Sequence, residues 1–161
     1  MILYHGSLGR ITAPEIRVPN RTLDYGAGFY ATTSFEQAKE WVLRRMRGTL
    51  AGKGYVNEYA LNTALLDHLN CLFFKSPTEE WLDFVMRNRT ERGFSHDYDV
   101  VYGPVANDKV YAAFALYEGG LLSKQNLIAE LKTYTLVDQY LFHTPKALET
   151  ISFTEAKEIL L

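Results

Sequence analysis

The chain has 161 residues, 47% of them hydrophobic and 22% charged, enough to bury a core and unlike a disordered chain. Seventeen basic against nineteen acidic side chains leave a net charge of −2, which gives no overall pull toward nucleic acid or an acidic membrane. The single Cys71 excludes an internal disulfide, no run of about eighteen apolar residues marks a membrane span, and the start MILYHGSLGR lacks a signal-peptide pattern. The expectation is a soluble, cytoplasmic protein.

Residues 2–4 (ILY) read as a first strand that ends in a turn at His5-Gly6-Ser7. Pro14, Pro19, Asn20, Gly26 and Gly28 make residues 8–27 a long ordered loop, and such loops in compact domains usually carry function. Residues 28–33 (GFYATT) read as a strand. Alternation along it puts Phe29 and Tyr30 on opposite faces, one toward the core and one toward a cleft. Ser34 and Gln37 form a capping-box pattern, and Phe35, Ala38, Val42 and Met46 follow at helical spacing until residues 48–54 end the helix.

Residues 55–61 (YVNEYAL) predict a second strand and residues 71–74 a short third. Ser76-Pro77-Thr78-Glu79 reads as a helix start with the proline at the first helical position, continuing through Trp81, Phe84 and Val85 to about Asn88. A strand over 99–102 runs into a turn at Gly103-Pro104. Helices follow over 109–117 and 123–132, a late strand over 137–142, a short helix near Ala147 and a final strand over 151–153. Without repeats or a linker, the pattern predicts a single mixed α+β domain over residues 1–161.

Eleven Tyr, nine Phe and two Trp make the chain rich in aromatic side chains, which serve cores first and planar ligands second. His5, His68, His96, His143 and Cys71 show no metal-ligand spacing, so no metal is expected. Cys71 in CLFF reads as a buried, inert thiol, and His96 to Asp99 as a polar loop before a strand. The runs Arg44, Arg45, Arg47 and Arg87, Arg89, Arg92 read as solvated helix ends.

Three segments together resemble ADP-ribosyltransferases of the diphtheria-toxin and poly-ADP-ribose-polymerase kind: LYHGS, DYGAGFYATTSFEQAKEW and LVDQYLFHT, in that family's order. The chain is more similar still to a family of small bacterial proteins of unassigned function with LYHGS, DYGAGFYATT, GPVAND and DQYLF segments. The resemblance implies a single-domain, split β-sheet core with flanking helices. It also implies a mono-ADP-ribosyltransferase that binds NAD as substrate, serves as a toxin or defence effector, modifies an unidentified macromolecule and has a cognate antitoxin.

By the same resemblance His5, Gly6 and Ser7 contact the ribose and the nicotinamide amide, and Gly28 belongs to the NAD-binding block. Tyr30 becomes the platform for the nicotinamide ring, a role an aromatic face suits because that ring is cationic. Trp41 closes the other side of the ring or packs in the core. Arg21 pairs with the pyrophosphate through its planar fork or stays a surface residue. Where the superfamily carries its catalytic glutamate, this chain has Gln139, which can bond a ribose hydroxyl but brings no charge toward a developing cation. Asp108, after Asn107, is either a substitute carboxylate or a helix cap, and Glu58 is a weaker, solvent-facing substitute. The competing expectation is an inactive module that binds NAD or ADP-ribose.

Overall fold

The computed structural model describes residues 1–105 and 108–161, and of Asp108 the backbone alone. Strand β1 (Ile2–Ser7) continues through His5-Gly6-Ser7 rather than turning there. What extends it is pairing with β3 (Lys53–Leu61), which takes His5, Gly6 and Ser7 against Asn57, Val56 and Tyr55. Gly6 is needed for packing: an added Cβ would lie 2.5 Å from the Ala38 carbonyl oxygen and 2.8 Å from Val42 on the helix above. That helix is α1 (Phe35–Thr49), capped by Ser34, whose hydroxyl accepts from the Gln37 N–H at 3.1 Å.

β1 and β3 are completed by β7 (Ile151–Leu160), giving an antiparallel sheet of order β1-β3-β7. β7 is ten residues long, far beyond the expected 151–153. Its outer half, with Glu155, Lys157 and Glu158, is polar and reads poorly as a strand, yet it pairs with β3 along its whole length. Ala38, Val42 and Met46 of α1 cover this sheet at Val56 and Ile159.

The second sheet has the order β2-β6-β5-β4, built from β2 (Phe29–Ala31), β4 (Cys71–Phe73), β5 (Val100–Pro104) and β6 (Asp138–Phe142). Among the described residues, only β4 and β5 run parallel. Gly103-Pro104 forms no turn, because β5 runs through it against Gln139 and Asp138. On one face lie α2 (Glu79–Thr90), α3 (Asp108–Glu118) and α4 (Lys124–Leu131), where Trp81, Leu82, Val85, Phe114, Leu127 and Leu131 bury Val101 and Leu141. The cap of α2 is Thr78, whose hydroxyl accepts from the Trp81 N–H, so Pro77 lies before the helix rather than at its first position.

Between the sheets sits a second core of Leu3, Phe29, Tyr59, Val100, Tyr140, Phe142 and Ile151, closed by α5 (Pro145–Leu148) through Ala147. Among the described residues the sheets meet through one bridge, Tyr4 with Thr32, whose backbone groups bond in both directions at 2.7 and 2.9 Å. The fold is mixed α+β. Among the described residues, no helix is long and apolar enough to cross a membrane.

Candidate functional site

A cavity of about 740 Å³ opens where the two sheets part, walled by β1, β2, the start of β6, the inner face of α1 and residues of the 8–27 loop. His5, Gly6, Ser7, Arg21, Gly28, Tyr30, Trp41 and Gln139 all line it. Asn107 lies outside the described residues, as does the side chain of Asp108, whose backbone begins α3.

His5 stands at the mouth of the split. Its Nδ1 is 2.5 Å from the Tyr30 carbonyl oxygen, which can only accept, so the ring is protonated there. The ring stacks on Phe29 at 4.4 Å. Burial holds its pKa below the usual value, with the Tyr30 bond opposing and Arg45 assisting. A neutral ring with a committed Nδ1–H leaves Nε2 as a free acceptor for a ligand hydroxyl.

Phe29 and Tyr30 do point to opposite faces: Phe29 enters the core between the sheets, while Tyr30 packs at the edge of the helix-covered core and lines the cavity. The Tyr30 hydroxyl donates to the Gly26 carbonyl at 2.6 Å and accepts from the Tyr25 N–H at 3.1 Å. Burial lifts its pKa far above the usual phenol value, so it stays neutral. Tyr30 is therefore a fixed aromatic surface with no free hydroxyl. Gly28 has φ of +149°, and a Cβ there would strike the Phe142 carbonyl oxygen; its glycine serves the approach of β2 to β6. Ser7 accepts from the Gly9 N–H, and Trp41, half-buried, carries the Arg45 guanidinium 5.0 Å above its ring.

Gln139 is buried, and its amide nitrogen is 3.5 Å from the Pro104 carbonyl oxygen. Tyr30 pairs with Leu141 across β2 and β6, so Gln139 is its diagonal neighbour on the same sheet face. Gln139 also lies near enough to Asp24 and to the Tyr25 hydroxyl to help hold the pKa of each down against burial.

Asp24, which the sequence presents only as the start of DYGAGFY, is buried and lines the cavity. Burial raises its carboxyl above the usual range, against the opposing pull of Arg89, 3.3 Å away, and Gln139. The Arg89 guanidinium lies 5.1 Å over the Tyr111 ring and 5.4 Å over Phe114, and its buried Nε has no hydrogen-bond partner. Arg89 is thus no solvated helix end. It shares the i, i+3, i+7 stripe of Leu82 and Val85, and a charge on an apolar helix face was the available signal.

The rest of this wall is equally tied down. Trp81 Nε1 donates to the Tyr25 hydroxyl at 2.8 Å, which donates to Pro104 at 2.9 Å. His96 lies in the loop before β5 and is buried: Nε2–H donates to the Tyr25 carbonyl at 2.7 Å and Nδ1 accepts from the Tyr98 N–H at 3.2 Å. His143 holds the Ala27 carbonyl, with its ring 4.3 Å from that of His96. Asp138 ties β6 to Thr32, Thr33 and Tyr102.

The outer wall is different. Arg17, Arg21, Arg44 and Arg45 are exposed, line the cavity and make no ion pair among the described residues. Arg44 and Arg45 thus face the cavity rather than bulk solvent alone. With Arg89 they set five arginines against the carboxylates of Glu15, Asp24 and Asp138, a surplus of two positive charges. Planar guanidinium forks in such excess suit phosphate oxygens.

Glu58 lies outside the cavity, bonded to Thr154 at 3.0 Å and paired with Lys157 at 3.8 Å. Cys71 is half-buried, with its thiol pKa raised chiefly by burial. Among the described residues, no group of three or more His, Cys, Asp or Glu side chains is placed to hold a metal ion.

No curated protein and no solved structure matches the chain significantly. Residues 1–153 match the family described as "Protein of unknown function (DUF3990)", and the chain belongs to that family.

Proposed function

We propose that the protein binds NAD in this cavity and transfers its ADP-ribose to a macromolecular acceptor, as a mono-ADP-ribosyltransferase with a split-sheet, ADP-ribosyltransferase-like fold. The observation that carries the reading is a single cavity that joins a histidine acceptor, a neutral aromatic surface and a surplus of two positive charges. The nicotinamide ring lies against Tyr30 near Gly6, a ribose hydroxyl donates to His5 Nε2, and Arg21, Arg44 and Arg45 hold the pyrophosphate, whose two charges match the surplus. Trp41 shields the ligand on the α1 side.

Gln139 favours a second reading, a module that binds NAD or ADP-ribose without cleaving it, because an amide cannot stabilise positive charge at the ribose as a carboxylate does. Calorimetric titration with NAD and an assay of nicotinamide release separate the two. The transferase reading expects binding that weakens in His5→Ala, together with nicotinamide release. Binding without release leaves the module, and no heat at millimolar NAD overturns both. A toxin or defence role, with an antitoxin partner, follows only if expression slows growth of the host cell.

A further inference from the structure

Gln139 and Asp24 are both buried and line the same cavity, near enough for Gln139 to help hold the Asp24 carboxyl down, and their chemistry is complementary. The Gln139 amide nitrogen lies 3.5 Å from the Pro104 carbonyl oxygen, and Gln139 is also near enough to Tyr25 to help hold its pKa down. The Pro104 carbonyl can only accept, so the amide nitrogen is on its side and the amide oxygen remains as an acceptor. A glutamate at 139 would set a second carboxylate against both Asp24 and the Pro104 carbonyl, and two carboxylates sharing a site cannot both stay ionised.

We propose that Asp24 is the catalytic carboxylate of this cavity, occupying from the 24–28 loop the place that residue 139 leaves uncharged. The proposal rests on the NAD-binding reading above. Asp24 is suitably placed: it lines the same cavity as Tyr30, near enough for its charge to act on the Tyr30 hydroxyl, which the neighbouring Tyr25 N–H and Gly26 carbonyl hold. Arg89 donates to Oδ1 at 3.3 Å and is itself wedged between Tyr111 and Phe114. It orients the carboxylate and favours its ionised form inside the protein.

In the reaction the bond between ribose C1′ and the nicotinamide nitrogen breaks. Its electron pair goes to that nitrogen, which becomes neutral as nicotinamide leaves. The Asp24 carboxylate faces the positive charge left on the ribose, and Gln139 Oε1 accepts a ribose hydroxyl. An acceptor hydroxyl, or water in its place, then bonds to C1′, and its proton passes to Asp24 and on to solvent.

The test uses the full chain, with NAD affinity from calorimetry, folding from thermal melts and rate from nicotinamide release. Asp24→Asn should lower release on the order of 10²-fold while the Kd for NAD changes less than about threefold. Gln139→Glu alone should also be slow, because the added carboxylate opposes Asp24. The exchange variant Asp24→Asn/Gln139→Glu, which keeps one carboxylate and one amide in the pair, should recover at least about tenfold over Asp24→Asn. This variant also carries the test if Asp24→Asn alone fails to fold. Wild-type rates in Asp24→Asn, or a folded, NAD-binding exchange variant with no recovery, would overturn the proposal. Wild-type protein that binds NAD but releases no nicotinamide overturns the role of Asp24 and leaves the binding reading standing. Absence of NAD binding overturns both.

Discussion

The two walls of the cavity are built by opposite means. The inner wall, from Asp24 to Tyr30 with α2 and β6, is a chain of paired polar groups, Trp81 to Tyr25 to Pro104, Arg89 to Asp24 and His96 to Tyr25, with the Arg89 Nε the one exception among the described residues. The outer wall is four exposed arginines without ion pairs among the described residues. Buried polar groups must find partners within the fold, whereas exposed cations lose little by waiting for a ligand. The inner wall is therefore where stability and site geometry coincide, and the outer wall is where they separate.

The sharpest contrast lies between adjacent residues of β2. Phe29→Ala should destabilise the protein by about 3–5 kcal/mol, because Phe29 fills the inter-sheet core and supports His5 and Tyr59. Tyr30→Ala should cost less in stability and more in NAD affinity, as its ring faces the cavity. Denaturant unfolding of both variants, with NAD titration, measures the difference. Equal losses of stability would make Tyr30 a core residue.

Tyr25→Phe comes next. It leaves a buried Trp81 N–H without its partner, at about 1–3 kcal/mol, and the Pro104 carbonyl with only the longer Gln139 contact. Melting and denaturant curves should show that loss with Trp81 still buried by fluorescence. A neutral outcome would mean that the inner wall is not held by this chain of bonds.

A smaller effect should follow acidification. Burial holds His5 and His96 below the usual histidine value, so the folded rings stay neutral where unfolded histidine, near 6.5, takes up a proton. Their contribution is fully present above that value and is lost as pH falls through the folded-state values. Asp24 opposes this, since its raised carboxyl adds stability as pH falls toward the ordinary aspartate range. Tm should fall between pH 7.5 and 5.5, and His96→Gln, which keeps a donor and an acceptor without titrating, should flatten the slope. An unchanged slope removes His96 from the account.

Smallest of all in stability are changes at the outer wall. Arg44→Ala and Arg45→Ala should leave unfolding free energy within about 0.5 kcal/mol of wild type. Both should weaken NAD binding and reduce its dependence on salt. A stability loss comparable to that of Tyr25→Phe would erase the distinction between the walls.

The sequence made some of this legible. Ser34 with Gln37 announced α1 and its cap correctly, because capping is a local bond between residues three apart. The opposite faces of Phe29 and Tyr30 followed from alternation alone. Gly6 and Gly28 were marked as special, but the packing of α1 on β1 and of β2 on β6, visible only in three dimensions, explains them without a ligand. Asp24 and Arg89 are 65 residues apart, and no local rule pairs them. Arg44 and Arg45 looked like a solvated helix end because sequence spacing says nothing about what faces a helix. The length of β7 was hidden in the polar residues of its outer half, whose strand character comes from β3.

The most direct test of the central claim is an experimental structure of the protein with NAD. The account predicts a nicotinamide ring stacked on Tyr30, a ribose hydroxyl within hydrogen-bond reach of His5 Nε2, and the pyrophosphate against Arg21, Arg44 or Arg45. A dinucleotide bound elsewhere, or lying in the cavity with its phosphates on the Tyr30 side, would contradict it.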